Sequence, residues 1–131
     1  MSLNPWRVII FVTLCVYATV LLTLTHMPKP PGVFEGQSDK TLHFMAYMVL
    51  ALLVYLVLSA YRPDQNYRLI KVLVICMIFG AVDESTQPLF GRSADVRDYL
   101  FDVLGIVVGS GLALAGCFVV RRYVAGMNPS V

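Results

Sequence analysis

AVDESTQPLFGRSADVRDYLFDVLGIVVG, residues 81–109, decides how this chain of 131 residues is read. It crowds acidic residues between two apolar segments, and ionisable groups at the edge of a bilayer are costly enough to mark function by default. Glu84 and Gln87 stand three apart on one helical face, and Pro88 should end the helix that carries them. Gly91 and Arg92 form a turn. Ser93 is expected to cap the next helix, with Asp95 in its first turn, where unpaired amides and the helix dipole favour a carboxylate. Asp95, Asp98 and Asp102 follow at steps of three and four and make one stripe. Gly105 and Gly109 continue it as a G-x-x-x-G pair that lets another helix come close, either within the chain or from a second copy.

Composition sets the class. The chain is 58% hydrophobic and 14% charged, with a mean hydropathy of +0.74, which is a membrane protein's balance within a single domain's length. A net charge of +2 without a basic cluster excludes nucleic acid as a partner. Cys15, Cys76 and Cys117 each lie inside an apolar run, so they read as small hydrophobes and form neither a disulfide framework nor a C-x-x-C metal motif.

Working outward, four apolar segments predict an all-α, up-and-down transmembrane four-helix bundle, one domain over residues 1–131. The helices are expected at about 6–24, 40–61, 68–87 and 94–120, each near the length of about 20 residues that spans a hydrocarbon core. The first lacks a basic n-region beyond Arg7 and an A-x-A site, so it reads as a retained helix and not a signal peptide. His26 to Gly32 cannot continue a helix, and an extended loop to Gln37 follows. Ser38 or Asp39 caps the second helix, and residues 62–66 make a short turn between antiparallel neighbours. The tail to Val131 is expected to fray.

Charge gives an orientation. The side with both termini and the 62–68 turn carries Arg7, Arg62, Arg68, Lys71, Arg121 and Arg122 against Asp64. The other carries Lys29, Lys40, Arg92 and Arg97 against Glu35, Asp39, Asp83, Glu84, Asp95, Asp98 and Asp102. The positive-inside rule then puts both termini in the cytoplasm. Helical rise places Glu84 about 24 Å from Arg68, and Asp102 about 28 Å from Arg121. His43 is equally far from Arg62, so three helices bring polar groups to one outer level.

Asp39, His43 and Tyr47 share a helical face at steps of four. The polar set reads as a pocket open to the outer leaflet. Glu84, His43 and Asp98 are the acid–base candidates, and Asp39, Lys40, Tyr47, Gln87, Arg92, Asp95 and Asp102 the ligand-binding ones. Arg and Lys at headgroup level suit a phosphate, so the partners expected are membrane lipids with an anionic headgroup. A carboxylate held partly from water beside His43 suits proton transfer, which keeps an intramembrane enzyme as an alternative. A helix-packing role in a larger envelope complex is a third. His43 with Glu84, Asp95 and Asp98 offers N and O donors, but no H-x-x-x-H spacing exists and neighbouring cations compete, so neither metal nor other cofactor is expected. The oligomeric state stays open.

These residues resemble the VanZ-like family of small bacterial membrane proteins in three ordered blocks. Asp39, Lys40, His43, Phe44 and Tyr47 match D-K-x-x-H-F-x-x-Y; Glu84, Gln87, Gly91 and Arg92 match an E-x-x-Q helix end and its turn; Asp95, Asp98, Gly105 and Gly109 match D-x-x-D and a glycine-spaced helix. The chain departs at Asp102, where the family usually has Asn, and at Pro88, which follows Gln87 at once. The resemblance implies an integral protein of the bacterial inner membrane, with an anionic envelope lipid or a cell-wall precursor as its expected partner, in a family named for a member linked to resistance to the glycopeptide teicoplanin.

Overall fold

The structure, a computed structural model, describes residues 4–28, 36, 38–61 and 67–127. Among these are four helices and no strand: α1 (Pro5–Thr25), α2 (Asp39–Tyr61), α3 (Arg68–Thr86) and α4 (Val96–Met127), with a single 3-10 turn at Gln87–Phe90 between the last two. The all-α bundle is as expected. The loop around residues 29–35, the 62–66 turn and the tail from 128 lie outside the described residues.

Local chemistry explains the helix ends. Asn4 caps α1, its side chain accepting from the Trp6 amide, and Pro5 stands at the first turn, where a missing N–H costs nothing. Ser38 supplies the carbonyl that opens α2, accepting from the Thr41 and Leu42 amides, so Asp39 is the first helical residue. Pro88 closes α3 as expected, and Gln87 passes into the 3-10 turn. Gly91, at φ 81°, ends that turn in a left-handed conformation that a side chain disfavours. Ser93 does not cap α4. Asp95 does, because its Oδ1 reaches the Arg97 amide at 2.8 Å while its carbonyl accepts from Asp98, and Asp98 occupies the first turn instead. At the far end, α4 runs to Met127 and past the expected stop at Val120, since Arg121 and Arg122 are good helix formers that need not terminate it.

The burial pattern is inverted relative to a water-soluble domain. Ile9, Phe11, Val16, Ile78, Leu112 and Phe118 face outward, whereas Asp83, Gln87, Asp98, Asp102 and Ser110 are buried. Three helices, α1, α2 and α4, are long and apolar enough to cross a membrane. α3 has Arg68 and Lys71 at one end and Asp83 and Glu84 at the other; its 19 residues measure about 28 Å along the axis.

The packing is not a symmetric square. α2 makes its most extensive contact with α4, α3 packs on both, and α1 lies mainly against α2. The α2–α4 approach is set by glycine: a Cβ on Gly105 would collide with the Phe44 carbonyl oxygen, and one on Gly109 with the Met48 carbonyl oxygen. α1 is fastened by Leu21, by Tyr17 donating to the Ala46 carbonyl at 2.8 Å, and by Thr25 donating to Asp83 at 2.7 Å. Tyr47 donates to the other oxygen of Asp83 at 2.6 Å, so one buried carboxylate ties α1, α2 and α3 together.

This packing makes three stability predictions. Gly105→Ala and Gly109→Ala should each lower unfolding free energy in micelles by about 1–3 kcal/mol through overpacking. Gly111→Ala, with open space around its Cβ, should stay within about 0.5 kcal/mol of wild type. Asp83→Ala should cost about 2 kcal/mol, because Tyr47 and Thr25 lose their shared acceptor. Denaturant titrations followed by circular dichroism or tryptophan fluorescence measure all three.

Candidate functional site

The site forms where the N-terminal turns of α2 and α4 meet the C-terminal turns of α1 and α3. His43 and Asp102 sit at its centre, 3% and 0% exposed, with imidazole Nδ1 2.9 Å from carboxylate Oδ1. An ionised Asp102 takes the Nδ1 proton as a hydrogen bond, and the contact orients the ring. Tyr47, one turn along α2, lies parallel to the imidazole with ring centroids 6.5 Å apart. Its hydroxyl is committed to Asp83.

Glu84 is buried and braced from two sides. Its Oε1 accepts from the Asp95 amide, and its Oε2 accepts from the Gln87 side chain at 3.2 Å. A carboxylate on the unpaired amides at the start of α4 is where the helix dipole favours it, so Glu84 also fixes the loop that carries Arg92. One donor atom each from His43, Glu84 and Asp102 lie within 4.8 Å of one another, and the same is true of Asp39, His43 and Asp98.

The charged side chains nearer the surface form a second layer. Arg92 reaches back across the helix ends, donating to Asp39 at 2.8 Å and to the Thr25 carbonyl at 3.0 Å. It thereby satisfies an orphan carbonyl at the end of α1. Lys40 Nζ stands 3.9 Å from Asp98.

A cavity of about 140 Å³ opens beside this layer, between α1 and α2. Val20, Leu21, Leu24, Leu42 and Ala46 wall it, while Thr25, Asp39, His43 and Arg92 gather at one end. Of the residues singled out from the sequence, Asp39, His43 and Arg92 therefore line the cavity. Tyr47, Glu84, Gln87, Asp98 and Asp102 are not on its wall and form the packed polar body behind it, while Lys40 and Asp95 are half-buried at its edge. Gly105 and Gly109 lie further along α4, as the α2 contact.

Sequence reasoning missed Asp83, Thr25 and His26. Asp83 counted only toward the charge balance, yet it is 1% exposed and accepts from two helices. The available signal was periodicity: Val72, Cys76, Gly80 and Asp83 recur at helical spacing and share the buried face of α3. His26 closes α1, with Nε2 2.9 Å from Thr86 Oγ1 and its ring edge-on to Phe90. Its partners are distant in sequence, so no local pattern revealed it.

No curated protein and no solved structure matches this chain. A family model described as VanZ/LLP1 matches residues 18–120, a span that takes in every residue of the site. A membrane-compatible helical bundle whose polar core is built from those residues, together with that match over most of the chain, establishes that the protein belongs to the VanZ/LLP1 family.

Proposed function

We propose that this protein resides in the bacterial cytoplasmic membrane with both termini inside and binds an anionic amphiphile of the envelope, a lipid phosphate or a lipid-linked cell-wall precursor. The observation that carries this reading is the cavity between α1 and α2: apolar along its walls, with Arg92 and His43 at one end. Apolar walls accept a hydrocarbon chain, and the guanidinium suits a phosphate through paired N–H donors. Asp39 holds Arg92 from a half-exposed position, so an incoming anion replaces one carboxylate on the guanidinium without having to bring an unpaired charge out of the interior. Lys40, also partly exposed, stands 3.9 Å from Asp98 and leaves Arg92 as the cation on the cavity wall. The role in glycopeptide resistance or envelope stress that the family's name suggests belongs to the same proposal.

A second reading, acid–base catalysis on such a ligand, is favoured by one feature. His43 is oriented by a buried carboxylate and reaches the cavity wall, the arrangement of a positioned general base. Glu84 is less well placed for this, being braced by two donors and set back from the cavity.

Arg92→Ala should reduce retention of anionic lipid about tenfold in native mass spectrometry of the purified protein. Ala46→Phe, which fills the apolar part of the cavity and leaves Arg92 in place, should do so at least fivefold. Equal retention in wild type and both variants would overturn the binding reading. In a strain lacking the protein, wild type should restore tolerance to teicoplanin or to envelope stress and Arg92→Ala should not. If the site is catalytic, His43→Gln retains lipid but yields no product, whereas unaltered lipid recovered from wild type counts against turnover.

A further inference from the structure

We propose that the buried polar body of α2, α3 and α4 binds one first-row divalent metal ion, of the Mn²⁺ or Zn²⁺ kind, through His43, Glu84 and Asp102. Each residue comes from a different helix and is at least nine-tenths buried, and one donor atom of each lies within 4.8 Å of the others. That spread suits donors that converge to about 2.0–2.2 Å from a common centre with small side-chain rotations.

A second, independent observation points to a ligand. Asp102 Oδ2 and Gln87 Oε1 belong to fully buried side chains and have no hydrogen-bond partner among the described residues. The Gln87 amide is not free to turn, because its Nε2 donates to Glu84; the oxygen therefore remains an acceptor beside the triad. Two acceptors without donors in a dry interior are costly, and a cation satisfies acceptors without a proton.

Charge argues the same way. Among the ion pairs of the described residues, Lys40 goes to Asp98 and Arg92 to Asp39, while Asp102 has only His43 and Glu84 has none. The alternative triad of Asp39, His43 and Asp98 has exactly those two side-chain cations at its carboxylates, and Asp39 is half exposed, so it is the weaker site. One imidazole nitrogen with carboxylate and amide oxygens is a mixed donor set, which favours Mn²⁺, Fe²⁺ or Zn²⁺ over Ca²⁺. A cation here also places positive charge behind His43, next to the cavity. That last consequence rests on the anionic-ligand reading; the metal site itself does not.

The test uses the full chain in detergent, stripped with chelator and with no anionic lipid added, then equilibrated with MnCl₂ or ZnCl₂. Elemental analysis should find close to one metal per chain, and pulsed electron paramagnetic resonance of the Mn²⁺ form should show nitrogen coupling from one imidazole. Asp102→Asn and Glu84→Gln should each weaken binding at least tenfold, and Asp39→Asn should leave it unchanged. Less than a tenth of an equivalent in wild type, no nitrogen coupling, or full binding by the Asp102 and Glu84 variants overturns the proposal. Loss of metal in Asp39→Asn alone overturns it too. The spectroscopic measurement needs only wild type, so a variant that fails to fold does not decide the outcome. Lipid retention is read separately with and without chelator, so failure of the lipid reading leaves the metal result standing.

Discussion

The backbone contact between α2 and α4 governs the rest of the molecule. Gly105 meets the Phe44 carbonyl and Gly109 the Met48 carbonyl, a repeat of four on both helices that fixes their register and their parallel course. With Phe44 held against Gly105, His43 falls level with Asp102, the residue one turn before the first glycine step. The buried pair at 2.9 Å is thus a product of register as much as of charge. Because two small residues bring the main chains together, no bulky side chain separates the imidazole from the carboxylate.

A polar interior of this kind is tolerable only where every neighbour contributes. Asp83 takes hydroxyl donors from α1 and α2, Glu84 takes an amide from the start of α4 and another from Gln87, and Arg92 caps the end of α1. The end of α1 and the start of α4 are each served by a side chain from another element, Arg92 at the Thr25 carbonyl and Glu84 at the Asp95 amide. In hydrocarbon, where water does not supply the missing bonds, that exchange holds these ends of all four helices together. The opposite half of the bundle is held by apolar packing around Leu50, Val54, Tyr55 and Val72. Structural and functional roles therefore overlap: Arg92 and Glu84 are both candidate site residues and braces of the fold.

The fold was largely legible in the sequence because hydrophobic runs near twenty residues, separated by Pro- and Gly-rich breaks, leave little choice in a bilayer. Helical rise alone brought His43, Glu84 and Asp102 to one height. Facing was harder. The capping role of Asp95 in place of Ser93 depends on Glu84 holding the Asp95 amide, a contact between elements that no local pattern encodes. Asp83 escaped because it was weighed as a charge at a surface and not as a position on the periodic buried stripe of α3. The division of the candidates into a cavity wall and a packed body also lies beyond sequence, since α1 meets the cavity through Tyr17, Val20, Leu21, Leu24 and Thr25, of which only Tyr17 and Thr25 are polar.

A double-mutant cycle between His43 and Asp102 tests the central claim most directly. Unfolding free energies in micelles would be measured for wild type, His43→Ala, Asp102→Ala and the pair. The register imposed by Gly105 and Gly109 predicts a coupling of about 1–2 kcal/mol between the two sites. Additive effects, with coupling indistinguishable from zero, would contradict it, because side chains that do not meet lose nothing by being removed together.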